Sequence, residues 1–391
     1  MTTLLDKITA ITQQQKNNDT TPQNYLLTTK KKYHNFKEEA WCKGTGYRMP
    51  EGYFPIFDEK MEGLESGLFL LAGQSNHGKS NLLFELILRY VQNPANKLYG
   101  VYFSLDDTAD KIIPRLLASN SIMANDTIGV PISLYSKPTI YLDKLREAQE
   151  DSEEERLYYS YLYEDITVEG SVNRDNIGKN PDNFPKSIRN KAYEWLESTS
   201  DYFTIIDGTE IRTGDQLIEY CKNIKRYIQE LHGDPEYNLL VGIDSFSDII
   251  WDGKNFKSDK ELNDYTSKRM KALAVEELKC PVFGSIHLRK SDPKKRPTVM
   301  DIKESGRWAY EATIVFLIHN DVAQSGEGAL IYANRDDSDY KMPIIEIRWA
   351  KNKQSSFKGY TYCYFQTEFS KVWECNVEAT RRLNAIITTV K

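Results

Sequence analysis

The segment Gly73–Ser80, GQSNHGKS, constrains this chain more than any other. It fits G-x-x-x-x-G-K-[ST] at every position. It lies between an apolar strand-like run, LFLLA, and a helical pattern, NLLFELILRYVQ, which is the context the motif needs. A loop of this kind wraps tightly, so that backbone N–H groups point inward at phosphate oxygens. The helix after it aims its positive N-terminal end at the same anion. The whole loop, Gly73, Gln74, Ser75, Asn76, His77, Gly78, Lys79 and Ser80, is therefore expected to cradle a nucleoside triphosphate, ATP. Lys79 would reach the β- and γ-phosphates, and the Ser80 hydroxyl would ligate Mg²⁺.

Around the loop the chain alternates between strands and helices. Apolar runs occur at 68–73, 99–105, 203–207, 239–245, 282–287 and 313–319, with helical patterns between several of them. One such pattern is Leu217, Ile218, Cys221, Ile224, Ile228 and Leu231. Buried apolar strands joined by helices imply an α/β fold with a largely parallel, twisted sheet covered on both faces. Two later runs, 344–350 and 360–366, flank KNKQSSFKG and read as a C-terminal β-hairpin with a basic tip.

Residues 1–45 read as a separate N-terminal helix and linker. Leu4, Leu5, Ile8 and Ile11 recur at helical spacing, and a polar stretch follows. The helix is either a frayed terminus or a partner-docking face. Residues 46–391 read as the main domain, carrying an insertion at about 121–200 that includes the acidic stretch AQEDSEEERLYYSYLYED. An acidic run of this kind reads first as a solvated surface decoration.

A phosphate loop needs a second carboxylate for magnesium. Asp244 ends the run LLVGID and would hold a water in the Mg²⁺ shell, unless it caps a turn. Asp106 and Asp107 follow another strand at the edge where ligands bind. Either could orient the attacking water, or both could cap the helix TADKIIPRLLA.

Charge and cysteines set limits on partners and compartment. The 51 basic and 57 acidic side chains give a net charge of −6, so any nucleic-acid contact must come from locally concentrated cations. Cys42, Cys221, Cys280, Cys363 and Cys375 form no CxxC pair, which argues against a zinc ribbon and fits reduced thiols. No apolar run of 18 residues suggests a membrane span, and the first 21 residues lack a signal-peptide core. A cytoplasmic protein is expected, in the host cytoplasm if phage-encoded.

The segments FSLDDTADKIIPRLLAS, YFTIIDGTEIRTGDQLIEYCKNIKRY, LLVGIDSFSDI, RPTVMDIKESGRWAYEATIVFLI and EIRWAKNK occur in the order found in DnaB-type hexameric replicative DNA helicases. The chain resembles that family over roughly 46–375, and GSIHLRK resembles its phage and mitochondrial ring-helicase branch. The resemblance implies a RecA-like motor that hydrolyses ATP, translocates on single-stranded DNA as a homo-oligomer (a hexamer) and unwinds duplex in replication. A primase or loader is an implied partner.

By position, Asp106 falls on the family's catalytic Glu, one methylene shorter. His287 falls on the γ-phosphate sensor. Lys353 falls on the arginine finger supplied by a neighbouring subunit, with Lys351 beside it at the nucleotide. Lys303, Glu304 and Gly306 fall on a DNA-facing loop. Arg289, Lys290, Lys294, Lys295 and Arg296 precede that loop and suit phosphate-backbone contacts, or form a solvated basic face. The shorter base and a lysine in place of the planar arginine fork imply weaker transition-state stabilisation. They keep open a helicase-like scaffold with slow hydrolysis. A recombination-type RecA-like ATPase is a further alternative.

Overall fold

The computed structural model describes residues 46–121, 129–137, 188–289, 295–302, 306–334 and 340–390. All of these but Gly46 belong to one compact unit, Tyr47–Lys391. The N-terminal stripe Leu4–Ile11, Cys42, most of the 121–200 stretch, and Lys290, Lys294, Lys303 and Glu304 lie outside the described residues.

The unit is built on one sheet. Its strands are β1 (Gly67–Gly73), β2 (Leu98–Ser104), β3 (Phe203–Asp207), β4 (Asn238–Asp244), β5 (Pro281–His287), β6 (Ile314–Asn320), β7 (Tyr332–Asn334), β8 (Lys341–Asn352), β9 (Tyr360–Gln366) and β10 (Lys371–Glu374). They run in the order β10-β9-β8-β6-β1-β5-β4-β2-β3, with β7 paired to β8 off that path. From β6 to β3 every pairing is parallel, and β8, β9 and β10 extend the sheet antiparallel. The longer helices are α1 (Lys79–Val91), α2 (Ala109–Ser121), α3 (Ile188–Thr199), α4 (Gly214–His232), α5 (Asp259–Ala272) and α6 (Val377–Val390).

Strand β1 sits near the middle of the sheet and is buried along its whole length. Its side chains alternate between two cores. Phe69 and Leu71 pack with Leu83, Leu86 and Ile87 of α1 on one face, while Leu68, Leu70 and Ala72 pack with Leu217 of α4 and Met270 of α5 on the other. A strand covered on both faces has no polar side to show, hence its unbroken apolar run. Each large side chain fully buried there contributes about 1.5–3 kcal/mol.

Local signals set the helix bounds. Thr213 accepts from the Gln216 amide while the Gln216 side chain accepts from the Thr213 amide, a capping box, and Gly233 at φ 60° closes α4. Of the six apolar residues expected on this helix, Leu217, Ile218, Cys221 and Ile228 are buried, Ile224 is half-buried, and Leu231 faces solvent. The expected hairpin is β8–β9. The described flanks of the 121–200 stretch fold back onto α2. There Leu117 and Ala118 share a small apolar cluster with Val130, Tyr135 and Ala192.

Candidate functional site

The parallel strands bring their carboxyl ends to one edge, and four sequence-predicted residues meet there. Gly73 ends β1, Asp244 ends β4, His287 ends β5, and Asp106 stands two residues past β2. Gly73 is directly opposite His287, and Ser104 is opposite Asp244.

The loop after β1 turns through left-handed conformations at Asn76 (φ 63°) and Gly78 (φ 85°). A Cβ on Gly78 would come within 2.6 Å of the Ile345 side chain, so the turn needs glycine for space as well as for conformation. Lys79 opens α1, is 6% exposed, and donates to the Gln74 carbonyl at 2.8 Å. Burial lowers its pKa, and the charges of Asp244 and Asp106 act against that shift. Ser75 and Asn76 are exposed, while His77 and Gly78 are buried.

Asp244 accepts from the Tyr102 hydroxyl at 3.1 Å and from the Ser285 hydroxyl. Two hydroxyls hold the carboxylate in place and leave it lone pairs to spare. Ser80 and Asp244 line the same cavity, together with Tyr102, Asp107 and Arg115. This donor set fits Mg²⁺, which takes one or two protein oxygens and completes its octahedron with water and substrate phosphate. Among the described residues no group of three or more His, Cys, Asp or Glu converges as a metal cage.

The two adjacent aspartates have different surroundings. Asp107 accepts from Arg115 at 2.7 Å and Lys111 at 3.5 Å on the next helix, and its carbonyl accepts from the Ser104 hydroxyl. Asp106 is exposed, and its charge acts on both Lys79 and His287. Neither supplies the backbone cap of α2. The first amide there, Ala109 N, donates to Asp207 at the end of β3, at 2.9 Å. Sequence reasoning missed Asp207 because it caps from another strand. Its hydrogen bonds, led by that from Thr209, hold its carboxyl below the usual range. The His287 pKa is lowered, first by burial and then by the Lys79 charge.

Behind the loop lies a buried polar network. Burial, with His319 and Lys79 repelling the charged form, holds His77 at about 4. Its Nδ1 accepts from the Asn320 amide at 3.3 Å, and its ring meets His319 edge-on at 5.3 Å. Arg296, expected at DNA phosphates, turns into this network. Its Nε donates to Glu346 at 2.9 Å, and a terminal nitrogen lies 3.9 Å from Asp321.

Of the other expected DNA residues, Arg289 and Lys295 are exposed, and Gly306 is the exposed residue before the short helix Arg307–Glu311. The ends of the loop between them are tied by a Leu288–Ile302 bridge and by the Arg289 amide on the Asp301 carbonyl at 2.8 Å.

Lys353 and Lys351 sit elsewhere. The Lys353 amide donates to Thr313 O, just before β6, and its side chain is exposed. Lys351 turns inward onto backbone carbonyls of the Arg307–Glu311 turn.

No protein-family model and no curated protein matches the chain. Two solved structures do. One is described as the ATPase domain of a helicase, at 17% identity and a TM-score of 0.58, over 90% of this chain and 99% of that one. The other is a DnaB-like replicative helicase described with its interactions with primase, at 17% identity and a TM-score of 0.58, over 95% of this chain and 76% of that one. The chain has the fold of a DnaB-type helicase ATPase domain. In that DnaB-type frame, the carboxyl-edge cluster lies where open α/β sheets bind ligands. The described cysteines are buried and unbridged, and burial pushes their thiols up, Cys280 to about 12. No described helix is long and apolar enough to cross a membrane.

Proposed function

We propose that this chain is an ATP-dependent DNA helicase motor that assembles as a homo-oligomer, a hexamer, and moves along single-stranded DNA during replication. The observation that carries this reading is the meeting of Lys79, Asp244, Asp106 and His287 at one sheet edge in a fold of the DnaB type. Residues Gly73–Ser80 bind the triphosphate, and Lys79 neutralises its β- and γ-oxygens. Ser80 and Asp244 hold Mg²⁺, which screens the phosphate charge. Asp106 orients the attacking water, and His287 reads the γ-phosphate. Lys353 acts on the nucleotide of a neighbouring subunit.

DNA contacts come from Arg289, Lys290, Lys294 and Lys295 and from the segment Lys303, Glu304 and Gly306. They bind phosphates and accept any base sequence. One similar structure is described with primase, which makes a primase or loader a reasonable partner here.

The test is steady-state ATP hydrolysis with and without single-stranded DNA, paired with strand separation on a forked duplex. The motor reading expects DNA-stimulated hydrolysis and ATP-dependent separation. A specific observation favours a second reading: Asp106 and Lys353 are a shorter base and a fork-less cation. Tight ATP and DNA binding with almost no turnover would establish a scaffold instead.

A further inference from the structure

The resemblance puts Lys351 beside the nucleotide, but its ammonium is committed within its own chain. The Nζ lies 2.7 Å from Ala309 O, 2.8 Å from Tyr310 O and 2.6 Å from Ala312 O. These carbonyls belong to the C-terminal end of the helix Arg307–Glu311, where a helix leaves its acceptors without internal partners. A lysine near a helix C-terminus commonly supplies the missing donors. An ammonium has three hydrogens, and three carbonyls take all of them. No N–H remains for a phosphate oxygen unless this cluster opens.

The contacts join two functional segments. Helix Arg307–Glu311 follows Gly306, the end of the proposed DNA-facing segment. Lys351 itself stands on β8 opposite Val315, two residues before Lys353. The Lys353 amide donates to the Thr313 carbonyl at 3.2 Å, and the Thr313 hydroxyl accepts from the Leu68 amide on β1, also at 3.2 Å. Residues 309–313 are thus clamped from β8 at two points and from β1 at a third. Lys353, Lys271 and Glu311 are the charges around the ammonium. The two lysines repel it and Glu311 attracts it. A surplus of positive charge held in place on carbonyls alone marks a structural commitment.

We infer that Lys351 is a positioning residue, not a nucleotide ligand: it locks the turn after the DNA-facing segment to the strand that carries Lys353. This rests on the proposed function for what the two segments do. DNA held at 303–306 then shifts, through the 307–313 turn, the strand that presents Lys353 to the neighbouring nucleotide.

Arginine and methionine at this position separate a latch from a ligand. A guanidinium spreads its donors in a planar fork and cannot converge them on three carbonyls, whereas it is the better phosphate ligand. Hydrogen exchange of amides 308–313 and the KM for ATP are measured in the full-length protein and in its Lys351→Met and Lys351→Arg variants. Stimulation by an oligothymidylate is measured beside them. The latch expects exchange about tenfold faster in both variants, through loss of local stability. It also expects a KM for ATP within about twofold of wild type and a several-fold loss of DNA stimulation, both being differences that report where binding energy was lost. Unchanged exchange in Lys351→Met, or Lys351→Arg behaving like wild type while Lys351→Met loses ATP affinity, would overturn it. The exchange readout needs no DNA response. If the wild type hydrolyses ATP without any DNA stimulation, the motor reading fails while the latch is still tested.

Discussion

Lys353 and Lys79 lie at opposite edges of the same sheet. The Lys353 amide bonds to Thr313, one residue before β6 begins, whereas Gly73, from which the phosphate loop departs, pairs with Ile318. Five strand residues separate those levels, roughly 17 Å at the usual rise. A lysine side chain spans far less. Lys353 therefore cannot serve the phosphate loop of its own chain, and any role at a nucleotide requires a second copy.

The contrast between Asp106 and Asp107 gives the first prediction. Asp106→Asn should leave ATP binding intact, because Gly73–Ser80 supplies it, and lower kcat by about 10²–10⁴-fold, the usual contribution of a general base. Asp107→Asn breaks ion pairs that are partly exposed, a loss of at most about 1 kcal/mol, and should leave kcat within a few-fold. Equal effects in the two variants would remove the assignment.

Arg296 should behave as a buried anchor. Glu346 is 1% exposed and burial raises its pKa, so the guanidinium beside it compensates a carboxylate that water cannot reach. Arg296→Met should destabilise the protein by about 3–5 kcal/mol, with part of that recovered on adding Glu346→Gln. Urea unfolding measures both. A phosphate-contacting arginine would instead lower the salt slope of DNA binding by about 0.7 and leave stability unchanged.

His77 gives a pH signature. Its folded pKa of about 4 lies below the ordinary 6.5, so the unfolded chain takes up the proton first as pH falls. The stability held by neutral His77 is complete above pH 6.5 and is lost as pH drops toward 4, up to roughly 3 kcal/mol. Unfolding midpoints between pH 4 and 7.5 should fall more steeply for wild type than for His77→Gln. Parallel profiles would contradict a buried neutral imidazole.

Much of the fold and site is legible in the sequence, for physical reasons that differ from residue to residue. The phosphate loop and the ends of β1, β4 and β5 follow from apolar runs too continuous for anything but strands buried on both faces. β7 and β10 are short and carry no such run. The roles of Asp106 and Asp107 are separable in principle, since Lys111 and Arg115 sit four and eight residues after Asp107 on one helix face. Arg296 is misjudged from sequence because its partner is 50 residues away; the available signal is Glu346, a carboxylate inside the run IIEIRWA that burial forces to find a cation. Lys351 and Lys353 differ by what β6 places beside them, which no local pattern contains.

A mixing experiment tests the shared site most directly. Lys79→Ala and Lys353→Ala proteins are each assayed for ATP hydrolysis alone and then co-assembled in equal amounts. The account predicts that each is inactive alone. In the mixture about a quarter of the interfaces combine an intact phosphate loop with an intact Lys353, so activity returns to that order. No recovery in verified mixed oligomers, or full activity of Lys353→Ala by itself, would contradict a catalytic site completed by the neighbouring subunit.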